Sequence, residues 1–356
     1  MKDYSKYAGI IPAFYACYDE KGDISPKAVR ELTEYYIGKG VKGLYVGGSS
    51  GECIYQSVAE RKLLLENVMA VAKGKLTIIA HVACNNTRDS MELAAHAESL
   101  GVDAIASIPP IYFRLPDAAI AKYWNDISSA APNTDFVIYN IPQLAGVALN
   151  PGLLATMLEN PRCIGVKNSS MPVEDIEKWI SGGAIAFNGP DEQLLSGIVA
   201  GATGGIGGTY GAMPEVYLKI FELATKGENL ALARELQLAA NQIIYKMCSG
   251  KGNMYAMIKE ILRLSGGSKG KNCLSKLKKL PENRQLFGYD FLVRCINLPE
   301  VHIIGGGENI PDNGVHTSPY LTETAAITSW SGKKQRKALH VFQLIHTFVC
   351  KDLTPI

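Results

Sequence analysis

The feature that most constrains the fold is an alternation of short apolar segments with longer amphipathic stretches, which continues to about residue 220. Such an alternation is typical of repeated strand-helix units and of a parallel sheet. Eight segments are predicted to be strands, namely 10–14, 43–46, 76–82, 104–108, 135–141, 164–167, 184–188 and 204–207. Eight repeats favour a closed barrel of the α/β class, the (β/α)₈ or TIM barrel, over an open sheet.

After Met213 the sequence is helical, and it later changes character. Apolar residues recur at helical spacing in three stretches, so one helix completes the barrel and two follow it. These stretches are 214–227, 228–250 and 253–267. The remaining sequence is rich in lysine, proline and glycine and has no clear periodicity. The predicted parts are a barrel over 1–222, a C-terminal helical subdomain over 223–266 and an atypical tail over 267–356.

The overall charge is nearly balanced, with 36 basic and 34 acidic residues and a formal net charge of +2. Such a chain has no field that would attract nucleic acid or an anionic membrane, so a small-molecule partner is expected. No run of about 18 apolar residues occurs, and the start of the chain does not resemble a signal peptide. We therefore expect a soluble, cytoplasmic protein.

The metal-binding residue types do not cluster. The eight cysteines include no CxxC pair, which favours reduced thiols, and the six histidines are scattered along the chain. Neither pattern predicts a metal site, and no sequence motif for an organic cofactor is present.

In a barrel of this kind the active site lies at the C-terminal ends of the strands. Polar residues follow five of the predicted strands, in the segments 47–52, 139–142, 166–169, 188–192 and 204–209. Lys167 ends the sixth strand, where burial would lower its pKa and allow the neutral amine to attack a ketone. A lysine that reaches solvent or a carboxylate is the alternative. Tyr139 ends the preceding strand, either as a proton-transfer group or as an aromatic residue that caps the barrel.

Two glycine-rich segments lie among these strand ends. The GGSSGE segment at 47–52 offers backbone N–H groups and two hydroxyls, which suit a carboxylate or a phosphate, or it forms an ordinary tight turn. It lacks the lysine of a P-loop, so nucleotide binding is not indicated. The glycine run at 204–208 does not fit a dinucleotide fingerprint, and it leaves room for a ligand or for close packing.

These residues together resemble the dihydrodipicolinate synthase and N-acetylneuraminate lyase family. The resemblance is carried by GLYVGGSSGE at 43–52, YNIP at 139–142 and GVKNSS at 165–170, and it extends over residues 5–266. It implies a class I aldolase without a cofactor, and a homotetramer. It also implies that Lys167 forms a Schiff base, that Tyr139 transfers protons, and that Ser49 and Ser50 hold the carboxylate of pyruvate.

The resemblance also bears on the second substrate. Members that use aspartate semialdehyde carry an arginine after the YN-P motif, whereas this chain has Leu144 in that segment and no arginine within 143–147. The NGPDE segment is similar to that of the sialic acid lyases of the family. The resemblance therefore implies cleavage of N-acetylneuraminate to N-acetylmannosamine and pyruvate, with Asp191 and Glu192 accepting hydrogen bonds from the polyol and Ser169 and Gly189 lining the same region.

Three features leave alternatives open. Gly208 stands where lyases of this group often carry a serine, and Tyr112 resembles the strand-four tyrosine of the family. The last 90 or so residues match nothing in the family pattern. The alternatives are a related pyruvate aldolase with another aldehyde, such as dihydrodipicolinate synthase or a 2-keto-3-deoxy sugar acid aldolase, and a non-catalytic variant with a disrupted C-terminus.

Overall fold

The computed structural model describes residues 3–249 and 254–265. Eight parallel strands form a single sheet within this part of the chain. They are β1 (Gly9–Pro12), β2 (Gly43–Val46), β3 (Thr77–His81), β4 (Ala104–Ser107), β5 (Asp135–Asn140), β6 (Cys163–Asn168), β7 (Ile185–Asn188) and β8 (Gly204–Gly207). Each predicted strand is present, and the predicted bounds 43–46 and 204–207 are those observed.

The sheet is nearly closed into a barrel. Its strand order is β1-β8-β7-β6-β5-β4-β3-β2, which leaves β1 and β2 to meet. The backbone N–H of Phe14 donates to the carbonyl of Tyr45 at 2.8 Å, and that of Lys42 donates to the carbonyl of Ile10 at 2.9 Å. These bonds join the two strands and confirm the predicted TIM barrel.

The helices alternate with the strands and then continue past them. They are α1 (Pro26–Lys39), α2 (Val58–Ala72), α3 (Thr87–Leu100), α4 (Asp117–Ser129), α5 (Pro142–Ala145), α6 (Pro151–Leu158), α7 (Glu174–Ser181), α8 (Leu194–Val199), α9 (Pro214–Lys226), α10 (Leu230–Cys248) and α11 (Met254–Ser265). The three helices predicted after residue 213 are therefore present. None of the helices in the described residues is long and apolar enough to cross a membrane.

Local sequence accounts for where these helices begin and end. In α1, the Ser25 side chain accepts a hydrogen bond from the Ala28 N–H at 3.4 Å, Pro26 occupies the first turn, and Gly40 ends the helix with φ +75°. Proline fits an N-terminal turn because it lacks only an N–H that the helix does not need there, and glycine adopts positive φ without steric cost.

Each strand contributes side chains to the interior of the barrel, among them Ile11, Tyr45, Ile79, Val137 and Phe187. Because barrel strands are buried on both faces, their sequences are nearly continuous apolar runs, which is why they were recognisable.

The glycines of β8 serve close packing. A Cβ on Gly204 would lie 2.3 Å from the carbonyl oxygen of Gly9, and one on Gly205 would lie 2.6 Å from the Tyr210 hydroxyl. Neither distance is compatible with a side chain, so close packing, one of the two predicted roles of this run, applies at both positions.

The last helices pack over the end of the barrel. α10 contacts α9 and the short helical turn Asp191–Gln193, and α11 contacts α10 and the turn Thr209–Gly211. Both turns follow strands, so α10 and α11 lie on the side where the strands end. The domain boundaries at 222 and 266 stay predictions, and the predicted tail over 267–356 lies outside the described residues.

Candidate active site

Lys167 lies inside the barrel on β6. It pairs in register with Tyr139 on β5 and with Phe187 on β7. Its side chain is 5% exposed, and its Nζ atom lies 3.8 Å from the ring centroid of Tyr139 and 4.2 Å from that of Tyr45. The amine therefore sits between two aromatic rings and does not extend into solvent.

Burial changes the ionisation of this amine. It lowers the pKa of Lys167 from 10.5 to about 7, against the opposing effects of the Asp191 carboxylate and the Cys53 thiol. Among the described residues Lys167 forms no ion pair. A large fraction of the amine is therefore neutral near pH 7, as a nucleophile requires.

Tyr139 is buried beside the amine. Burial raises the pKa of its hydroxyl to about 12, while hydrogen bonding with the Ser49 and Ser169 side chains lowers it. The phenol is thus protonated at neutral pH. Its hydroxyl also links the turn after β2 to the end of β6, which brings three of the predicted site residues together.

The turn after β2 has the geometry of an anion site. Gly47 has φ +74°, and Ser49–Gly51 forms a single helical turn stabilised by the Gly51 N–H, which donates to the Gly48 carbonyl at 3.0 Å. Within the described residues, the backbone N–H groups of Ser49 and Ser50 donate to no backbone acceptor. These N–H groups and the two serine hydroxyls can donate hydrogen bonds to an oxyanion.

Asp191 lies in the turn after β7 and is also buried. Its Oδ2 atom accepts hydrogen bonds from the N–H and the hydroxyl of Thr209, both at 2.6 Å, whereas its buried Oδ1 atom has no partner among the described residues. Burial raises the pKa of this carboxyl to about 7, although the hydrogen bonds from Thr209 and, to a smaller extent, the charge of Lys167 lower it. Glu192, the next residue, is half-buried.

Two residues of α10 hold the Asp191–Glu192 segment through its backbone. The Gln237 side chain donates to the carbonyl oxygen of Asp191 at 3.1 Å, and the Asn241 side chain donates to that of Glu192 at 3.1 Å. Gln237 also accepts from the N–H of Leu195 at 3.0 Å, which ties the same segment to α8.

The remaining glycines lie within this group of residues. A Cβ on Gly189 would be 2.1 Å from the Ser169 Oγ, so these predicted neighbours are in contact. A Cβ on Gly208 would be 3.1 Å from the Ser50 Oγ, and the Gly208 carbonyl accepts a hydrogen bond from the Tyr15 hydroxyl. A serine at 208 would therefore require Ser50 to shift by a few tenths of an ångström.

Tyr112 lies elsewhere. Its side chain is 89% exposed in the loop after β4, with φ +86°, and its ring packs edge-on against Phe113 at 5.0 Å between centroids. Both aromatic residues border a surface cavity of about 580 Å³ between the loops after β3 and β4. Within this chain Tyr112 is therefore not part of the buried group around Lys167.

Leu144, in the segment predicted to offer no cation, is exposed on α5. However, Arg114 approaches this segment from the loop after β4, and its Nε atom would lie 3.8 Å from a Cβ built on Gly146. Arg114 is exposed. A cation is therefore near the end of β5, but it comes from a loop distant in sequence.

Several residues around Lys167 were not predicted. His81 ends β3, and its Nδ1 atom lies 3.0 Å from the Gly47 carbonyl oxygen, while burial and the Arg61 charge hold its pKa well below 6.5. The strand-end rule could have identified His81. Tyr255 on α11 hydrogen-bonds with Ser50, and burial raises its pKa to about 12. No local signal marked that residue.

The described residues contain no group of histidine, cysteine and acidic side chains that could hold a metal ion. The residues described above bring together an amine, a phenol, a carboxylate and a turn with N–H groups that can bind an oxyanion.

Comparisons with known proteins identify the relatives of this chain. The sequence profile of the dihydrodipicolinate synthetase family matches residues 6–287. An N-acetylneuraminate lyase from Mediterraneibacter gnavus is 67% identical over 270 residues, which cover 75% of this chain and 85% of the relative. N-acetylneuraminate lyase 2 from Escherichia coli is 36% identical over 263 residues, covering 73% and 85%. The solved structure of a catalytic lysine mutant of Ruminococcus gnavus sialic acid aldolase is 61% identical, with a TM-score of 0.76 and coverage of 82% and 93%.

Proposed function

The chain belongs to the dihydrodipicolinate synthetase family, and we propose that it is a class I aldolase that reversibly cleaves N-acetylneuraminate to N-acetylmannosamine and pyruvate. The observation that carries this proposal is the buried Lys167 amine, with a pKa of about 7, beside the protonated hydroxyl of Tyr139. The names of the relatives, a lyase of N-acetylneuraminate and a sialic acid aldolase with a catalytic lysine, support the choice of substrate.

In the proposed mechanism, neutral Lys167 attacks the C2 ketone of the open-chain sugar acid. The Tyr139 hydroxyl gives its proton to the carbinolamine oxygen, which leaves as water. The protonated imine accepts the electron pair of the C3–C4 bond as this bond breaks, while the Tyr139 phenolate takes the proton of the C4 hydroxyl. Protonation of the enamine at C3 and hydrolysis of the imine then release pyruvate.

The pyruvate half of the substrate would bind at the turn after β2. Ser49 and Ser50 offer the N–H groups and hydroxyls for its carboxylate. Donors of this kind neutralise an anion without placing a full positive charge next to Lys167, and such a charge would lower the pKa of that amine further.

The polyol half would extend toward Asp191 and Glu192, past Ser169 and Gly189. The Oδ1 atom of Asp191 supports this direction, because it is buried and has no partner among the described residues. A buried acceptor without a donor costs about 1–3 kcal/mol, which a substrate hydroxyl would recover. Gly208 has no side chain that could hydrogen-bond with the sugar as a serine would, so such a contact would be made by neighbouring groups or by none.

An aldehyde partner with a carboxylate, as in dihydrodipicolinate synthesis, would need a cation at the end of β5. Within the described residues Arg114 lies beside Gly146, but it is exposed and belongs to another loop. An exposed cation gains little from pairing with a carboxylate, because water screens the two charges. This arrangement supports the polyol substrate over aspartate semialdehyde.

We also propose that the protein is a cytoplasmic homotetramer. The described cysteines form no disulfide bond with one another, which fits a reducing compartment. The exposed side chains of Tyr112 and Phe113 form an apolar surface that association of subunits could cover. Contact with a neighbouring subunit would then be the role of Tyr112. Light scattering of the purified full chain would measure the number of subunits.

Two assays test the function. N-acetylneuraminate should yield pyruvate, detected with lactate dehydrogenase and NADH, and borohydride with pyruvate should add a stable mass to the peptide that contains Lys167. Lys167→Ala should abolish both signals. Labelling that persists in this variant would refute the assignment of the lysine, and better turnover of aspartate semialdehyde than of N-acetylneuraminate would refute the substrate.

A further inference from the structure

The helix α11 carries two side chains that reach the turn after β2. Tyr255 hydrogen-bonds with Ser50, and Lys259 donates a hydrogen bond from Nζ to the Oε1 atom of Glu52 at 3.0 Å. Residues four apart lie on one face of a helix, so a single face of α11 contacts two residues of this turn.

The contact between Glu52 and Lys259 is a buried ion pair. The side chains are 8% and 2% exposed, respectively, and the Lys259 Nζ atom lies 5.0 Å from the ring centroid of Tyr18. Each charge is costly to bury alone, and each is compensated by the other. The position of the Glu52 carboxylate is thereby fixed by a residue 207 positions away in the sequence.

The backbone at Glu52 explains why this fixation matters locally. Glu52 has φ 58° and ψ 32°, a left-handed conformation that glycine adopts freely and that other residues keep only when their surroundings enforce it. Its N–H donates to the carbonyl of Ser49 at 2.9 Å. The side chain of Glu52 thus holds a strained residue that closes the turn bearing the two serines.

We propose that Lys259 is a positioning residue, which through Glu52 holds Ser49 and Ser50 in the geometry that binds the carboxylate of the keto acid. The inference rests on the proposed function. It makes the affinity for pyruvate depend on α11, although α11 supplies no group that reacts. The segment Asp191–Glu192 depends instead on Gln237 of α10, so the two halves of the substrate site have separate supports.

The test compares full-length variants by two readouts. The first is the pyruvate concentration that gives half-maximal borohydride trapping on Lys167, and the second is the KM for N-acetylmannosamine at saturating pyruvate. Lys259→Met should raise the first at least tenfold and change the second less than twofold. Gln237→Leu should show the reverse pattern. Lys226→Met, which removes an exposed ion pair with Glu222, is the matched control and should change neither.

Loss of folding is separated from loss of positioning by two further variants. Glu52→Gln/Lys259→Met leaves no unpaired charge at positions 52 and 259, so its thermal unfolding midpoint should exceed that of Lys259→Met, while its half-maximal pyruvate concentration stays high. Lys259→Arg keeps the cation and should recover part of the pyruvate affinity.

A folded double variant with the pyruvate affinity of the wild type would overturn the inference, as would a variant Lys259→Met in which both readouts change equally. Absence of trapping in the wild-type protein would instead overturn the proposed function, and this inference with it, before any variant is compared.

Discussion

Replacing Lys167 by methionine should stabilise the folded protein. The folded chain holds this amine with a pKa of about 7, whereas the ordinary value for lysine is 10.5. Each pKa unit corresponds to about 1.4 kcal/mol, so burying this amine opposes folding by up to about 5 kcal/mol below pH 7, where it is protonated in both the folded and the unfolded chain. Methionine has a similar length and no charge, and it removes this cost.

The pH dependence identifies the cause. Between pH 7 and pH 10.5 the unfolded chain binds a proton at this position and the folded chain does not, so the contribution of Lys167 makes stability rise with pH. The free energy of unfolding of Lys167→Met should therefore exceed that of the wild type by an amount that shrinks by about 3 kcal/mol from pH 8 to pH 10. Starting at pH 8 keeps Asp191, with its pKa of about 7, ionised in the wild type.

Urea unfolding at several pH values and a fixed protein concentration measures this difference, since association would otherwise shift the midpoint. Lys226→Met is the control. In the wild type, the hydrogen bond with Glu222 raises the pKa of Lys226 above its ordinary value. The contribution of Lys226 to stability is therefore lost only as pH rises above that ordinary value. Below it, the free energy of unfolding of the control should change with pH as that of the wild type does. A difference between Lys167→Met and the wild type that does not change with pH would refute the reasoning.

The rate of imine formation with pyruvate should rise about tenfold from pH 6 to pH 8 and then level off, because the neutral fraction of Lys167 follows a pKa of about 7; stopped-flow trapping measures it, and a rate that is flat over this range would contradict it. Tyr139→Phe should retain folding and slow turnover by about two to four orders of magnitude in the pyruvate assay, and near-normal turnover would leave Tyr139 a structural residue. Asp191→Ala should impair cleavage of N-acetylneuraminate about ten- to a hundredfold and still form the pyruvate imine, and equal loss of both would argue against a role in polyol recognition. Deletion of residues 275–356 should preserve imine formation, since the described residues around Lys167 all precede that point, and loss of trapping in a folded truncation would exclude this.

Much of the fold could be predicted because its signals are local. Strands buried on both faces appear in the sequence as short apolar runs. Ser25 and Pro26 mark the start of the helix α1, and Gly40 marks its end. The positions of Lys167 and Tyr139 followed from the rule that barrel sites lie at the C-terminal ends of strands. Their pairing on adjacent strands is a direct consequence of the register between β5 and β6.

Other parts of the site could not be predicted because they depend on contacts between distant segments. Arg114 reaches the end of β5 from another loop, and Lys259 reaches Glu52 from the last described helix. Periodicity places Lys259 on an amphipathic helix, where a lysine is usually solvated. Only the packing of that helix against the barrel turns it into a buried charge with a partner.

The charges around the site must meet two requirements. Lys167 must be buried enough to lose its proton, and the site must still bind an anionic substrate. A carboxylate near the amine raises its pKa, and Asp191 has this effect. Burial raises the pKa of the Asp191 carboxyl to about 7, although the hydrogen bonds from Thr209 and, to a smaller extent, the charge of Lys167 lower it. The proposed use of backbone N–H groups at Ser49 and Ser50 offsets the charge of the substrate without a second cation. The ion pair between Glu52 and Lys259 adds no net charge, so the turn can be held in place without disturbing the ionisation of Lys167.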